Sequence, residues 1–546
     1  MILIARRNRT IGSKDIIRAL SWLAMLVFGT LHAVVHALPG DLDSTFGLGG
    51  LARATVSGSS LTVNAAAQQR DGRIVVVGRC VGPTSLVSFC ITRFEADGSF
   101  SNSTPGVLGS RTWRHSDPSG SAIPYAVAID AQDRIIIGGR CDTASTGGDF
   151  CLVRLLRDGA VDTSFGTNGE VMTLIGEGTL NEAINALVIQ PDGRIIAGGN
   201  CIRNTIVAVG FCLARYLPNG TLDQQFGVQG IAVGYYTPGQ AYATNQLSTL
   251  ALTPGGDIHA VGTCDMLPAA QPYRMCLMTF TATGEMPNAA RAFSTGVSGD
   301  SYARAAALQR DGDLLIGGPC NSGPSTGVDF CLIRVTPSLG QHLVFSGGQR
   351  RTSIGYGALM DVPRAITVQT DGRIVLAGTC TLNPSTSGNA FCWVRYMANG
   401  EPDRSINGNA DTTGAIVTEF SAGIGQDSAV AAMAQADGTL IVVGGCETGP
   451  STSVFQACAA RYQGGPFSYA ACSPDIDGDG KSDPMIDGLI MNRIAAGMRD
   501  SAVMQGIRLP AGARRINWNN ENGIAYYLQT ACGIRGLNYS GFFTGF

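Results

Sequence analysis

The fold is decided by a stretch that occurs first as RIVVVGRCVGPTSLVSFCITRF at residues 73–94 and again as RIIIGGRCDTASTGGDFCLVRL at residues 134–155. Each copy reads as an apolar strand, a cysteine, a polar loop, a second cysteine and a second apolar strand. A turn precedes each copy and recurs seven times, with its central residue at Gly72, Asp133, Gly193, Gly256, Gly312, Gly372 and Gly438. The spacings of 61, 60, 63, 56, 60 and 66 residues indicate a repeat array.

Each repeat is predicted to contain four short antiparallel strands. In the first copy these are VNAAAQQ, RIVVVGR, FCITRF and a segment that ends near Trp113. Asp-Gly turns between β-branched runs favour hairpins, because Gly accepts a positive φ. A four-stranded sheet cannot bury both of its faces alone, so the units must stack. The predicted fold class is therefore all-β, a seven-bladed β-propeller of units of about 60 residues.

The ends of the chain are predicted to close this ring. The motif DLDSTFGLGGLARATV at residues 41–56 resembles AVDTSFGTNGEVMTL at residues 160–174 and TLDQQFGVQGIAVG at residues 221–234. Both of the latter follow a repeat core, whereas the last core is followed by no such motif. We therefore expect residues 42–56 to complete the blade that begins at residue 429, which leaves no free sheet edge.

The repeat also resembles a known family. Its LDxSFGxxG segment, DGRIVVxG strand and FCLxRY strand are similar to the bacterial delta-60 repeats over roughly residues 41–462. The resemblance implies a propeller-like domain in an exported bacterial protein, and it supplies no catalytic residues. The later copies depart from the LDxSFG part (GEMPNAARAF, TPSLGQHLVF, GEPDRSINGN), so the resemblance does not define the outer strands of copies four to seven.

Sixteen cysteines in an exported chain predict disulfides. Seven pairs follow from the spacing: Cys80 with Cys90, Cys141 with Cys151, Cys201 with Cys212, Cys264 with Cys276, Cys320 with Cys331, Cys380 with Cys392, and Cys446 with Cys458. Each would close the loop between the second and third strands, and all seven loops would lie on one rim. Cys472 and Cys532 remain and are predicted to clasp a C-terminal module. The gaps lack the C-x-x-C pattern of zinc sites.

The N-terminus and the composition bear on location and partners. Basic residues followed by SWLAMLVFGTLHAVVHA, with Val35 and Ala37 before the cleavage point, predict a signal peptide over residues 1–37. An uncleaved membrane anchor is the alternative, because residues 19–37 almost reach spanning length. The mature chain is expected to be secreted, on the cell surface or periplasmic, without a transmembrane span. A net charge of −3 gives no footprint for nucleic acid, and we expect a monomer.

The chain is divided into a signal peptide (1–37), the propeller (38–465) and a C-terminal module (466–546) that contains SPDIDGDGKSDPMIDG at residues 473–488. This segment resembles dockerin-like calcium loops, in which alternate carboxylates converge on one ion. The predicted metal residues are Asp475, Asp477, Asp479, Lys481, Asp483 and Asp487. The last carboxylate stands at position thirteen instead of twelve, so it binds calcium only if the loop is bulged. A helix is predicted over residues 487–498. The alternative is a solvated acidic turn without a metal.

Few other residues point to chemistry. His115, His259 and His342 occupy non-equivalent repeat positions, so no histidine site is predicted. The string GPSTG at residues 323–327 matches a nucleophile pattern but lies in an inter-cysteine loop, so we interpret it as coincidence.

An arginine recurs in the third strand and is predicted to pair with an acidic turn residue of its own or the neighbouring blade. The aspartates of the Asp-Gly turns are predicted to hold those turns: Asp71, Asp192, Asp311, Asp371 and Asp437. The arginines are Arg93, Arg154, Arg215, Arg334, Arg395 and Arg461, with Thr279 once in their place. Such repeated residues are expected to serve the fold.

Two functions remain open. The leading hypothesis is an exported protein that binds or displays an unknown protein or glycan ligand. The alternative is a secreted enzyme, for example a polysaccharide hydrolase, with its site in the central cleft and Asp265 and Glu285 of the atypical fourth unit as first candidates. Two carboxylates about 5 to 10 Å apart would favour glycoside hydrolysis.

Overall fold

The computed structural model describes residues 39–56, 59–81, 86–100, 109–115, 120–143, 147–176, 182–202, 209–236, 244–265, 272–295, 299–323, 327–342, 345, 349–354, 360–381, 388–406, 414–420, 425–449, 454–464, 476, 485–495, 498, 501–509, 518, 524 and 528. The predicted signal peptide and the tips of the seven inter-cysteine loops lie outside these ranges. Within the described ranges, no helix combines the length and the apolar character that a bilayer crossing requires.

Seven four-stranded antiparallel sheets make up the described fold, which confirms the predicted seven-bladed propeller. In order from blade one to blade seven, the strands are β2–β5 (Leu61–Gln68, Ile74–Val81, Val87–Phe94, Ser110–Trp113), β6–β9 (Ala122–Ile129, Ile135–Thr143, Gly147–Leu155, Glu170–Thr173), β10–β13 (Ala183–Ile189, Ile195–Cys201, Gly210–Tyr216, Ile231–Gly234), β14–β17 (Gln246–Leu252, Ile258–Cys264, Arg274–Phe280, Arg291–Phe293), β18–β21 (Ala305–Leu308, Leu314–Gly323, Gly327–Val335, Gln349–Thr352), β22–β25 (Asp361–Val368, Ile374–Thr381, Asn389–Tyr396, Ala415–Thr418), and β26–β28 with β1 (Ser428–Ala434, Leu440–Glu447, Phe455–Tyr462, Leu51–Ala54).

The N-terminal strand closes the ring as predicted. Strand β1 pairs antiparallel with β28, with Leu51 opposite Ala460 and Ala54 opposite Ala457. The segment before β1 continues the pairing, because Leu42 bridges to Tyr462. Blade seven therefore combines both ends of the repeat array, and its third strand β28 is paired on both sides.

The outer strand is present in every blade, including those whose motif departs from the family pattern. In blade four it shrinks to three residues, Arg291–Phe293. The Asp-Gly turns follow the sequence prediction too. In blades one and three, for example, the Asp71 and Asp192 carboxylates accept the backbone N–H groups of Arg73 and Arg194.

The core lies between blades. Seven clusters of buried apolar side chains occur, and each joins two neighbouring blades around the ring. The second and third strands have both faces in such clusters, which explains their continuous apolar runs. Full burial of one Val, Leu or Ile side chain contributes about 1.5–3 kcal/mol. Stacking, and not the single sheet, therefore stabilises each blade.

The two ends of the ring differ. One end, which we call the disulfide rim, carries the disulfides and the loops that join the second strand of each blade to the third. The chain also passes at this end from the fourth strand of one blade to the first strand of the next. At the other end, which we call the turn rim, turns that include the Asp-Gly turns connect the first strand to the second and the third strand to the fourth.

The seven predicted short-range disulfides are all present, and each joins the second strand of a blade to the third strand of the same blade. The bonds are Cys80 with Cys90, Cys141 with Cys151, Cys201 with Cys212, Cys264 with Cys276, Cys320 with Cys331, Cys380 with Cys392, and Cys446 with Cys458. The predicted pairing is thus confirmed for these fourteen half-cystines. Seven disulfides indicate an oxidising environment for this chain.

Beyond the blades the structure describes a small helical cluster. A helix spans Asp487–Ala495, and a single 3₁₀ turn spans Ser501–Met504. Buried Ile490 and Ile494 on the helix contact an apolar cluster that also contains Trp518. The helix predicted over residues 487–498 is thus observed as far as residue 495, and Cys472 and Cys532 lie outside the described residues.

Candidate binding site

The repeated arginines form ion pairs within their blades. The pairs, with their Nε–Oδ2 distances, are Arg154–Asp162 (2.8 Å), Arg215–Asp223 (2.9 Å), Arg334–Asp313 (2.6 Å), Arg395–Asp403 (2.8 Å) and Arg461–Asp43 (2.7 Å). Burial alone would raise the pKa of Asp403, but the charge of Arg395 and a hydrogen bond from Ser405 lower it overall. The predicted pairing is confirmed for these five arginines.

Arg93 in blade one departs from this pattern. Its Nη1 donates to the Arg157 carbonyl at 3.0 Å and lies 3.4 Å from Gln69 Oε1. Among the described residues no carboxylate pairs with it. For Arg93, therefore, the prediction of an acidic partner is wrong, because its Nη1 donates to a backbone carbonyl and an amide oxygen in place of a carboxylate.

All six arginines also reach into the next blade, which the sequence did not reveal. Each donates through Nη1 to a backbone carbonyl: Arg93 to Arg157, Arg154 to Pro218, Arg215 to Ala282, Arg334 to Ala398, Arg395 to Gly464 and Arg461 to Ala96. The carbonyl always belongs to the segment that follows the third strand of the neighbour. These arginines therefore act as clamps between blades, and their charges are used within the fold.

A different ring of residues lines the centre of the molecule. The first strands of neighbouring blades contact one another all around the ring, so they enclose the central channel. Each first strand carries a β-bulge, an extra residue without a pairing partner, near its beginning. We call these residues the bulge ring: Asn64, Tyr125, Asn185, Ser248, Arg304, Arg364 and Val430.

Two asparagine side chains of the bulge ring reach the first strand of the next blade. Asn64 donates to the Pro124 carbonyl at 2.7 Å, and Asn185 donates to the Leu247 carbonyl at 2.9 Å. Both carbonyls belong to the residue just before the bulge of the next blade. The same position thus holds amides, a phenol, a hydroxyl, two guanidinium groups and an aliphatic side chain. This one position holds five residue types in seven copies, which gives the channel chemical asymmetry.

The residue three positions before each bulge lies at the disulfide rim, and its side chain is buried. These residues, each at most 2% exposed, are Leu61, Ala122, Glu182, Asn245, Ser301, Asp361 and Asp427. Burial and the charge of Asp149 raise the pKa of Glu182 to about 7. Burial, with a smaller effect of Asp329, raises the pKa of Asp361 to about 7 as well. Both carboxyl groups therefore hold a proton over much of the range below neutral pH.

The hydrogen bonding of these acids differs. Asp361 Oδ2 accepts the Ile354 N–H at 2.8 Å. Both carboxyl oxygens of Glu182 are buried and have no hydrogen-bond partner among the described residues. A buried carboxyl group without a partner favours its neutral form, which explains the direction of the pKa shift.

The histidines do not converge. His115 contacts the Glu170 carboxylate, His259 lies 2.9 Å from Thr279 Oγ1, and His342 Nε2 lies 3.8 Å from Asp313. In the described ranges, the one group within metal-binding reach is His115, Cys141 and Glu170, whose ligand atoms lie within 4.8 Å of one another. Cys141 is bonded to Cys151, so it offers no thiolate to a metal.

The acids suspected in the fourth unit are not brought together. Asp265 follows Cys264 at the disulfide rim, and Glu285 lies in the turn after β16 at the turn rim. Strand β16 is seven residues long, so its two ends, and with them the two rims, lie about 20 Å apart. Ser325 of the GPSTG string lies outside the described residues.

Of the predicted calcium residues, Asp487 is described. It is 4% exposed, begins the helix, and accepts the backbone N–H of Ile476 through Oδ1 at 2.7 Å. Ile476 belongs to the acidic loop, so the carboxylate at position thirteen folds back onto that loop. Asp475, Asp477, Asp479, Lys481 and Asp483 lie outside the described residues, and calcium binding stays a prediction.

Comparisons with known proteins point to the fold. The family described as "Domain of unknown function (DUF5122) beta-propeller" matches residues 133–165 and 190–226. Each segment runs from a turn before a second strand to the phenylalanine of the outer motif, in blades two and three. No curated protein matches the chain.

Several solved structures resemble the chain at low sequence identity. A protein of unknown function from Dyadobacter fermentans DSM 18053 is 10% identical, with 61% of this chain and 96% of that chain covered and a TM-score of 0.39. A polysaccharide lyase, Uly1, is 10% identical, with 80% and 95% covered and a TM-score of 0.38. An α-L-arabinofuranosidase from Fusarium graminearum is 9% identical, with 66% and 96% covered and a TM-score of 0.38. We draw no functional inference from these similarities.

Proposed function

We propose that this protein is an exported binding or display protein whose ligand enters the central channel from the disulfide rim. The observation that carries the proposal is the bulge ring, where equivalent positions hold chemically different side chains. The repeated arginines, by contrast, are engaged in clamps between blades. A rigid scaffold that presents a non-repeated set of polar groups in a concave site suits recognition of one ligand.

The rigidity of the scaffold supports this proposal. Seven disulfides, each at the base of a loop on the same rim, fix the entrance to the channel. Preorganised groups lose little conformational entropy when a ligand binds, which improves affinity without new contacts. We infer a protein or glycan ligand, with the mature chain acting as a monomer.

The proposal is tested with purified mature protein on a glycan array and in pull-down with candidate ligands. Tyr125, a half-buried aromatic of the bulge ring, is replaced in Y125A, and exposed Leu156 at the turn rim is replaced in the control L156A. We expect a ligand that binds wild type and L156A equally and binds Y125A at least about tenfold more weakly. Equal binding by all three proteins, or no ligand at all, would contradict the proposal.

A secreted polysaccharide hydrolase is the second candidate, and one observation favours it. Glu182 has a pKa near neutrality and lies close enough to Asp149 to sense its charge, as expected of a general acid beside a second carboxylate. Glu182 is only 2% exposed, however, so a substrate does not reach it in this conformation. Hydrolysis of a polysaccharide by wild type that is abolished in E182Q would favour the enzyme.

We further propose that residues 466–546 form a calcium-stabilised module. The contact of Asp487 with Ile476 supports this proposal, because it brings one predicted ligand to the acidic loop. Calcium would neutralise the carboxylates of the loop and hold it against the helix.

Buried Trp518 in the cluster of the helix offers a fluorescence signal for melting of the calcium module. We expect EDTA to lower its midpoint, calcium to restore it, and D475N/D477N to abolish the response. A midpoint that EDTA leaves unchanged in wild type would contradict the calcium assignment.

A further inference from the structure

Two arginines of the bulge ring stand next to each other at the centre of the molecule. Arg304 and Arg364 occupy the bulge positions of blades five and six. The bulge at Arg304 follows from the pairing, because Ser301 bridges to Cys320 while Ala305 pairs with Gly317, which leaves one extra residue between them. Both side chains are exposed, unlike the other members of the ring. Neighbouring first strands are in contact, so the two guanidinium groups share the same part of the channel wall.

These two arginines differ from the clamp arginines in their partners. Among the described residues, neither forms an ion pair or a side-chain hydrogen bond. Arg304 lies over the ring of Tyr302, 6.0 Å from its centroid, and Tyr302 in turn donates to Asp300. Asp300 accepts from Tyr302 and from the Tyr273 backbone, so its carboxylate is already engaged.

The electrostatics of the pair are unfavourable without a ligand. Although Arg364 is exposed to solvent, neighbouring protein atoms partly desolvate its guanidinium group and lower its pKa; the positive charge of Arg304 lowers the pKa further, and no carboxylate of the described residues counters the effect. Asp361 lies three residues before Arg364, but its pKa of about 7 leaves it protonated roughly half of the time at pH 7, so it carries only part of a negative charge there. The other occupants of the bulge ring are neutral.

We propose that Arg304 and Arg364 form a binding site for a doubly charged oxyanion, a phosphate or sulfate group, near the disulfide-rim mouth of the central channel. Guanidinium groups bind such oxyanions through paired N–H donors, and a dianion neutralises both arginines at once. The group is either the free ion or a phosphate monoester carried by a larger ligand, because a sulfate ester has only one negative charge. The inference deepens the proposed function, because it names the chemistry that one sector of the bulge ring recognises.

The site is tested by calorimetric titration of the mature protein with inorganic phosphate, inorganic sulfate and glucose 6-phosphate, at an ionic strength kept constant with sodium chloride. The test variant is R304Q/R364Q. The matched control is R70Q/R310Q, which removes two exposed arginines of the Asp-Gly turns at the turn rim. All four side chains are exposed, so loss of the fold is not expected, and a thermal melt verifies it.

We expect wild type and R70Q/R310Q to bind the divalent anions with equal affinity and R304Q/R364Q to bind them at least about tenfold more weakly. The conservative R304K/R364K variant should retain part of the binding, because the charge remains while the paired donors are lost. Tighter binding of glucose 6-phosphate than of inorganic phosphate would identify an ester as the source; the reverse would identify the free ion.

No heat of binding beyond that of the chloride background, or equal binding by R304Q/R364Q and R70Q/R310Q, would overturn the site. The proposed function is judged separately by the comparison of Y125A with L156A. If that comparison succeeds while phosphate and sulfate fail to bind, the oxyanion site is wrong and the binding role stands.

Discussion

At the scale of single residues, two glycines of the turn rim have no room for a side chain, because a phenylalanine of the preceding blade packs against each of them. A Cβ atom at Gly220 would lie 2.9 Å from Phe165, and one at Gly400 would lie 2.6 Å from a ring carbon of Phe345. Gly220 also has a φ of +90°. The aromatic ring thus fills the space that a side chain would need.

Substitution of Gly220 separates this steric effect from backbone strain. Gly193 is the matched control, because it has a similar φ of +83° but its nearest neighbour would be 3.4 Å from a Cβ atom. We expect G193A to lower the free energy of unfolding by about 1–2 kcal/mol through the positive φ alone. G220A should lower it by about 1–3 kcal/mol more, since Phe165 must move. Equal losses in urea denaturation would contradict this account of the glycine.

The buried carboxyl group of Glu182 makes stability depend on pH. Its folded pKa of about 7 lies above the ordinary value of 4.5, so the folded state binds the proton more tightly than the unfolded state. The free energy of unfolding should therefore fall as pH rises from about 4.5 to about 7, and this loss should cease above that range. A shift of this size corresponds to about 3 kcal/mol at 1.36 kcal/mol per pKa unit.

The variant E182Q removes this titration and keeps the side-chain shape. Measured by urea denaturation at pH 4 and pH 8, its loss of stability between the two values should be about 3 kcal/mol smaller than that of wild type. E95Q is the control, because Glu95 forms a partly exposed pair with Arg73. Parallel pH profiles for wild type and E182Q would show that Glu182 ionises as readily as in the unfolded chain.

Residue roles were only partly predictable. The aspartates of the Asp-Gly turns and the acidic partners of five arginines follow from sequence, because both roles recur in most copies. The contact of Phe165 with Gly220 was not predicted, since it joins residues 55 positions apart in two blades.

The bulge ring was also not predicted, because its residues do not repeat. Its members differ between copies, and alignment of the alanine-rich first strands with their register was needed to reveal the shared position.

At the scale of elements, one clamp consists of an arginine, an aspartate and a phenylalanine. In blade three, Arg215 pairs with Asp223, lies 4.7 Å above the ring of Phe226, and donates to the Ala282 carbonyl of blade four. The outer motif LDxxFG thus helps to join neighbouring blades. It follows the third strand because its aspartate and phenylalanine contact the arginine of that strand. Its carboxylate and aromatic ring both serve the arginine.

The clamp of blade three is tested with R215M. We expect a loss of about 3 kcal/mol or more in the free energy of unfolding, because Asp223 would remain buried without its main partner. R194M is the matched control. Arg194 contacts the same carboxylate at 3.2 Å, but its side chain is 40% exposed, so its removal should cost less than about 1 kcal/mol. Similar losses for both variants would contradict the clamp.

The sequence predicts the strands and disulfides of each blade better than it predicts how the outer strands are paired. The four strands per repeat and the short-range disulfides follow from apolar runs and cysteine spacing. The outer strands of copies four to seven could not be predicted from the motif, because backbone pairing with the third strand needs no particular side chain. The calcium residues before the helix lie outside the described residues, so that part of the prediction is still untested.

At the scale of the whole molecule, the junction of blades four and five lacks the clamp. Thr279, Pro287 and Ala290 stand where blade three has its arginine, aspartate and phenylalanine, and Leu339 takes the place of the turn glycine in blade five. Leu339 has a φ of +64° and packs against the apolar cluster of this junction. Without a phenylalanine below it, the turn has room for a side chain. The ring is therefore continuous in its core but not uniform in its clamps.

Closure of the ring was predictable because the missing outer motif of the last repeat occurs at the other end of the chain. The structure places it where this reasoning expects, and it adds the Arg461–Asp43 ion pair and the Arg461 bond to Ala96 in blade one. The chain ends thus use the same clamp as the internal blades. The ligand could not be predicted in this way, since recognition depends on residues that do not repeat.

Hydrogen exchange of strand β1, monitored residue by residue in the mature protein, tests ring closure most directly. We expect the paired amides of Leu51–Ala54 to exchange as slowly as those of the equivalent outer strand Ile231–Gly234, because both strands form the same antiparallel ladder. Exchange of the Leu51–Ala54 amides at the rate of an unstructured segment, while Ile231–Gly234 stays protected, would contradict a propeller closed by its N-terminal strand.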